Sequence, residues 1–118
     1  MSPRRTRDRI QDILDAIEEI NAFTLGTDLT AFRGDAKTIR AVELNFIVIG
    51  EAATYIPADV QAARADIPWH LMRAMRNRIV HAYFSVDPDI VWETIQNDLP
   101  QLVKPLCDLL ATIPSESP

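Results

Sequence analysis

A single cysteine, three glycines and no apolar run of membrane-spanning length set the first limits on this 118-residue chain. Cys107 has no partner for an internal disulfide, and its apolar helical surroundings mark it as a small core residue. A reducing, cytoplasmic setting fits. A bilayer-crossing helix needs roughly 20 consecutive apolar residues, and none are present. The basic start Met1-Ser2-Pro3-Arg4-Arg5 leads into Asp8, Asp12 and Asp15, without the apolar segment of a signal peptide. Neither export nor membrane insertion is therefore expected. Excess positive charge is missing as well: a net charge of −5 argues against a protein that coats nucleic acid non-specifically, while leaving a local basic site possible. There is no internal repeat, no useful heptad run, no convincing strand pair and no metal-ligand cluster. What remains is a globular composition, 47% hydrophobic and 25% charged, of a length that suits one domain spanning 1–118.

Helical periodicity dominates the chain. Ile10, Ile13, Leu14, Ile17 and Ile20 recur at three- and four-residue steps between Arg7 and Phe23, with carboxylates on the other side, so this is a surface helix with one buried face. Gly26, Thr27, Asp28 and Gly34 interrupt the pattern, leaving room for one turn around Leu29 to Phe32. Asp35 is a good N-cap for a second long helix reaching Tyr55 and ended by Pro57. Its apolar stripe is Ile39, Val42, Phe46 and Ile49, yet Leu44, Val48 and Tyr55 lie opposite. Such a helix is either central in the fold or shared with a partner. Gly50 in its middle costs roughly 1 kcal/mol relative to alanine, which a close approach of another helix would explain.

Pro57 to Ala65 suits a short connecting helix. Pro68 opens the next long one, Trp69 to Phe84, and Asp87-Pro88 starts a last helical region. Val91, Ile95, Leu99, Leu102, Leu106, Leu109 and Ile113 keep one face of that region buried. Pro100 and Pro105 should kink or divide it near Asn97 to Pro100, with Asp98 and Gln101 able to recap a second segment. The polar tail from Pro114 to Pro118 should be loose. The expected architecture is all-α, an up-and-down bundle of four main helices plus short connecting pieces.

The stretch Arg76-Asn77-Arg78-Ile79-Val80-His81-Ala82-Tyr83-Phe84 stands out. From His70 to Phe84 there are three arginines, two histidines and no carboxylate, against the acidic balance of the whole. On a wheel of about 3.6 residues per turn, Leu71, Met75, Ile79 and Ala82 form the core stripe. Asn77 and His81 share one flank and can touch, with His70 lower on the same side. Arg76 and Tyr83 share the other flank, while Arg73, Val80 and Phe84 point outward. Arg76 and His81 are about 140° apart, so one chain does not aim both at one phosphate without distortion. A second copy would resolve this, and covering Val80 and Phe84 against it would bring two His81 side chains together. His70 and His81 lie about 16 Å apart along the helix and cannot share a metal ion.

This motif resembles the R-x4-6-H signature of the HEPN superfamily, and its H-x-Y ending is similar to the HepT toxin branch. Gly50-Glu51-Ala52, Ile67-Pro68-Trp69 and Val91-Trp92-Glu93-Thr94-Ile95 support the resemblance, which covers roughly Arg7 to Leu110. It implies a homodimeric helical bundle acting as a metal-independent endoribonuclease without a cofactor. Arg76 and His81 from both subunits would form a cleft at the interface, with Asn77, the polar residue after the arginine, in support. It also implies a cognate minimal nucleotidyltransferase, MntA, that restrains the toxin by transferring AMP onto Tyr83.

The chemistry is coherent by itself. RNA cleavage without a metal uses the 2′-hydroxyl as nucleophile, and a histidine of ordinary pKa about 6.5 serves as base or acid near neutrality. An arginine offers a permanent planar charge to the transition-state phosphate. Taken singly, Arg76 also reads as a surface or ion-paired arginine, His81 as a structural histidine and Tyr83 as a packing residue. Arg4, Arg5, Arg7 and Arg9 read best as a solvated terminus, and His70 as a surface or capping residue. Glu51 either pairs with an arginine near the motif or merely favours its helix. The competing function is a non-enzymatic binding subunit for a nucleotidyltransferase, docking through Tyr83 and Phe84.

Overall fold

The computed structural model of the chain describes residues 5–82 and 84–114. Its elements are α1 (Thr6–Thr24), α2 (Leu29–Arg33), α3 (Ala36–Thr54), α4 (Ala58–Ala63), α5 (Trp69–Ala82), α6 (Pro88–Glu93), a π-helical turn (Thr94–Asp98) and α7 (Leu99–Thr112). No strand occurs among the described residues. The expected loose tail beyond Pro114 and the tyrosine of the motif, Tyr83, lie outside the described residues.

The isoleucine ladder of α1 (Ile10, Ile13, Ile17 and Ile20) is completely or almost completely buried. It packs on α3, whose Val42, Phe46 and Ile49 face inward, and α3 in turn packs on α5. Gly50 faces Met72 and Arg76, while Phe46 shares a cleft wall with Met75 and Ile79, so α3 and α5 run antiparallel. Asp35 caps α3 as expected, accepting from the Thr38 amide at 3.1 Å and the Thr38 hydroxyl at 2.6 Å. On the outer side of α3, Leu44, Val48 and Tyr55 remain 62%, 38% and 60% exposed. The helix is thus central through one face, while Leu44 and Val48 stay exposed on the other.

Both α2 and α6 are short and held by each other. Phe32 is fully buried against Trp92, ring centroids 5.1 Å apart, and Arg33 grips Asp89 through two bonds of 2.6 and 2.7 Å. The last helical region neither breaks nor recaps. Asp98 keeps helical backbone angles and makes no cap bond; the Gln101 side chain donates to the Asn97 carbonyl instead. The chain widens into one π turn, in which the Leu99 amide reaches the Thr94 carbonyl. Because Pro100 lacks an amide hydrogen and its ring crowds the carbonyl one turn before it, a wider turn accommodates it without ending the helix. The apolar face from Val91 to Leu109 stays buried across that turn.

Two readings of the ends change. Cys107 is exposed, not a core residue, because it falls one position off the Leu102–Leu106–Leu109 face. Arg7 and Arg9 are not a solvated terminus. Arg7 donates to the Leu110 and Ile113 carbonyls at 3.0 and 2.8 Å, satisfying groups that the end of α7 would otherwise leave open. Arg9 lies over the Tyr55 ring, 4.5 Å from its centroid.

Candidate active site

The motif helix α5 starts where Pro68 predicts and is described as far as Ala82, and Phe84, in a turn, is 87% exposed. Its buried face is Trp69, Met72, Met75 and Ile79. The expected stripe of Leu71, Met75, Ile79 and Ala82 is thus rotated toward Met72, with Leu71 and Ala82 only half-buried. The cause lies on α3. A Cβ built on Gly50 would come within 2.0 Å of the Arg76 Cβ and 2.9 Å of the Met72 carbonyl oxygen, so only glycine admits α5 this closely. The close approach draws Met72 into the core and sets Arg76 on its rim.

Arg76 is therefore not a free surface arginine. Its Nε donates to Glu51 Oε1 at 2.8 Å, and Nη2 lies 2.8 Å from the same oxygen. Its Nη1 donates to Asn77 Oδ1 at 3.0 Å. The Arg76 side chain is about one-third exposed, and the N–H bonds on Nη1 and Nη2 that point away from these two acceptors are left for a third. Glu51, one residue after the glycine of closest approach, places a carboxylate against a helix that has none of its own.

Asn77 and His81 share no side-chain hydrogen bond. The Asn77 Oδ1 accepts from Arg76, and the His81 side chain, exposed in the last turn of α5, makes no hydrogen bond with the described residues. Val80 is 38% exposed on the outward arc, and His70 is exposed near the helix start. Arg73 is not directed outward into solvent, since its Nη1 donates to Gln61 Oε1 at 3.1 Å and so ties α5 to α4. Arg78 borders a separate cleft of about 260 Å³ with Phe46, Leu71, Glu93, Asn97 and Asp98. On the helix wheel it is about 200° from Arg76, so that cleft opens on the other side.

Within one chain, then, the fold joins Arg76, Asn77 and Glu51 by hydrogen bonds and leaves the His81 side chain, five residues beyond Arg76 on α5, outside that group. Among the described residues no group of three or more histidine, cysteine or carboxylate side chains could hold a metal ion. The signal for Glu51 was present as a glycine in mid-helix beside an acid, but only the packing of α3 on α5 decides which arginine it meets.

An all-helical bundle of this kind is consistent with the HEPN-type helical fold. Residues 13–108 match the model of the family described as Ribonuclease HepT-like. A Thermococcus cleftensis protein named "Probable ribonuclease HepT" is 40% identical over 99 residues, covering 84% of this chain and 90% of that protein. A Methanocaldococcus jannaschii protein named "Putative RNase" is 30% identical over 116 residues, or 98% and 96% of the two chains. A Caldanaerobacter subterraneus protein of like name is 30% identical over 104 residues, 88% and 93%. No solved structure matches the chain significantly. The chain belongs to the ribonuclease HepT-like family. No helix among the described residues is long and apolar enough to cross a membrane.

Proposed function

We propose that this protein is a metal-independent endoribonuclease, the toxin of a toxin–antitoxin pair acting in the cytoplasm, with an active site composed from two copies of the chain. The observation that carries the reading is the state of α5: Arg76 is held at the rim with donors to spare, and His81 is exposed and uncommitted on the far side of the same outward arc. Each chain supplies half of a site. Apposing the α5 surfaces of two copies across Val80 and Phe84, extended by the exposed Leu44 and Val48 of α3, would cover apolar area and set the arginines and histidines around one groove.

In that groove one His81 imidazole accepts the proton of the 2′-hydroxyl as its oxygen attacks the adjacent phosphorus. The other protonates the departing 5′-oxygen, giving a 2′,3′-cyclic phosphate and a 5′-hydroxyl end. Arg76 stabilises the charge that gathers on the non-bridging oxygens, and Asn77 supports the arginine. Family membership and the names of the relatives favour RNA as substrate. Restraint would come from a cognate minimal nucleotidyltransferase of the MntA type that transfers AMP from ATP to the Tyr83 hydroxyl with release of pyrophosphate, placing a phosphate beside Arg76, on the helix flank that the seven-residue spacing gives both residues and where substrate phosphate would sit.

The test uses unmodified protein. It should cleave RNA in the presence of EDTA and leave cyclic phosphate ends, and His81→Ala should lower the rate on the order of 10²- to 10⁴-fold with its far-UV circular dichroism unchanged. A His81→Ala protein that cleaves normally, or a strictly monomeric active protein, would overturn the composite site. Incubation with the partner and ATP should add AMP-sized mass steps that disappear in Tyr83→Phe; an unchanged mass removes the regulatory half of the proposal.

A further inference from the structure

The residue left over once Arg76, Asn77 and His81 have their roles is Glu51. It comes from a different helix, and α5 has no carboxylate of its own between His70 and Ala82. We propose that Glu51 is a positioning residue: it fixes the Arg76 guanidinium so that the remaining N–H bonds of the two terminal nitrogens face the surface as a ready receptor for one phosphate group. The inference rests on the ribonuclease reading for its catalytic consequence, and on geometry alone for the positioning itself.

Three observations carry it. First, the contact uses the Nε side of the guanidinium: Nε donates to Glu51 Oε1 at 2.8 Å, and Nη2 lies as close to the same oxygen. A carboxylate bound there leaves one hydrogen of Nη2 and the Nη1 nitrogen outside the contact, and a planar guanidinium gripped on one edge has the rest of its donors aimed. Second, Asn77 takes a single hydrogen of Nη1 at 3.0 Å, so the group is held from two sides while the Arg76 side chain as a whole stays about one-third exposed. Third, the backbone under the pair is built for it. Gly50 brings α3 so near that a Cβ there would lie 2.0 Å from the Arg76 Cβ, which fixes the root of the arginine against the residue that precedes the glutamate. A long, flexible side chain anchored at root and head reaches a substrate with little left to order. The same carboxylate offsets the arginine's charge before substrate arrives, so binding in the ground state gains less than the phosphorane does.

The discriminating experiment compares wild type with Glu51→Gln, Glu51→Ala and Glu51→Ala/Arg76→Lys, using single-turnover cleavage of a defined oligoribonucleotide together with the Nε–H resonance of Arg76 by nuclear magnetic resonance. Positioning predicts that Glu51→Ala lowers the cleavage rate on the order of 10- to 100-fold at saturating RNA with little change in KM. Glu51→Gln, which keeps a neutral acceptor, should recover part of that loss. Arg76→Lys should cost little more once Glu51 is gone. The Arg76 Nε–H signal, distinct and slowly exchanging in wild type, should merge with those of mobile arginines in Glu51→Ala.

An unchanged or faster rate in Glu51→Ala, or a change confined to KM, overturns the proposal, because the carboxylate would then act only as a repelling charge. A lowered melting temperature with undiminished activity of the folded fraction overturns it too. If wild type itself fails to cleave RNA, the ribonuclease reading falls, and the Nε–H signal still decides whether Glu51 holds Arg76.

Discussion

Gly50→Ala isolates the contact on which the site depends. Alanine is the better helix former by about 1 kcal/mol, so propensity alone predicts a more stable protein. Packing predicts the opposite. The new methyl carbon would meet the Arg76 Cβ at 2.0 Å and the Met72 carbonyl oxygen at 2.9 Å. Carbon atoms rest at about 3.5 Å or more, so α3 and α5 would have to part locally by about 1.5 Å. Neither obstructing atom can swing aside, since one is a Cβ and the other backbone. Overpacking of a core costs typically about 1–3 kcal/mol, and this geometry belongs at the upper end, leaving a net loss of about 2 kcal/mol after the propensity gain. For a chain of this size that lowers the melting temperature by about 8 °C. Urea unfolding followed by circular dichroism, at one protein concentration, measures it. Gly34→Ala serves as control, because its Cβ would meet only the Ala31 carbonyl oxygen at an ordinary 3.8 Å. That change should shift stability by no more than about 0.5 kcal/mol. A Gly50→Ala protein as stable as wild type would refute the close approach, and the placement of Arg76 on the rim with it.

Acid should weaken the fold in a defined window. The Thr38 hydroxyl and amide hold the Asp35 carboxyl below its ordinary 3.8, hydrogen bonding to Arg64 lowers Asp66, and hydrogen bonding to Arg33, reinforced by its charge, lowers Asp89. A carboxyl lowered by folding stabilises the fold while ionised. The contribution is therefore whole above pH 3.8 and lost as pH falls below it. Urea midpoints should fall below about pH 4, with a shallower fall in Asp35→Asn and Asp89→Asn; an acid slope identical to wild type in both variants would disprove the assignment. At the other end of the chain, Arg7→Ala removes two charge-assisted bonds to the Leu110 and Ile113 carbonyls. It should cost about 1–2 kcal/mol and speed amide exchange in the last turn of α7; exchange rates equal to wild type would show that the cap does not hold that turn.

Local rules decided much of this protein before any packing was considered. The four long helical regions, the Asp35 and Asp87 caps and the buried ladders on α1 and α7 follow from three- and four-residue spacing and from proline and aspartate chemistry, which act within a few residues along the chain. So does the spacing of Arg76 and His81, five residues apart on one helix. Tertiary structure decided the rest. How far α5 rolls toward Met72 depends on the missing side chain of Gly50, 26 residues before Arg76. That the Asn77 Oδ1 meets Arg76, whose guanidinium also meets Glu51, is set by the packing of α3 on α5. Cys107 could not be placed from its neighbours, since one step round α7 separates core from solvent. Arg7 and Arg9 looked like a charged terminus until the end of α7 and Tyr55 were brought beside them. Sequence period tells which faces a helix has; only the neighbouring helix tells which of them is closed, and how near its side chains can come.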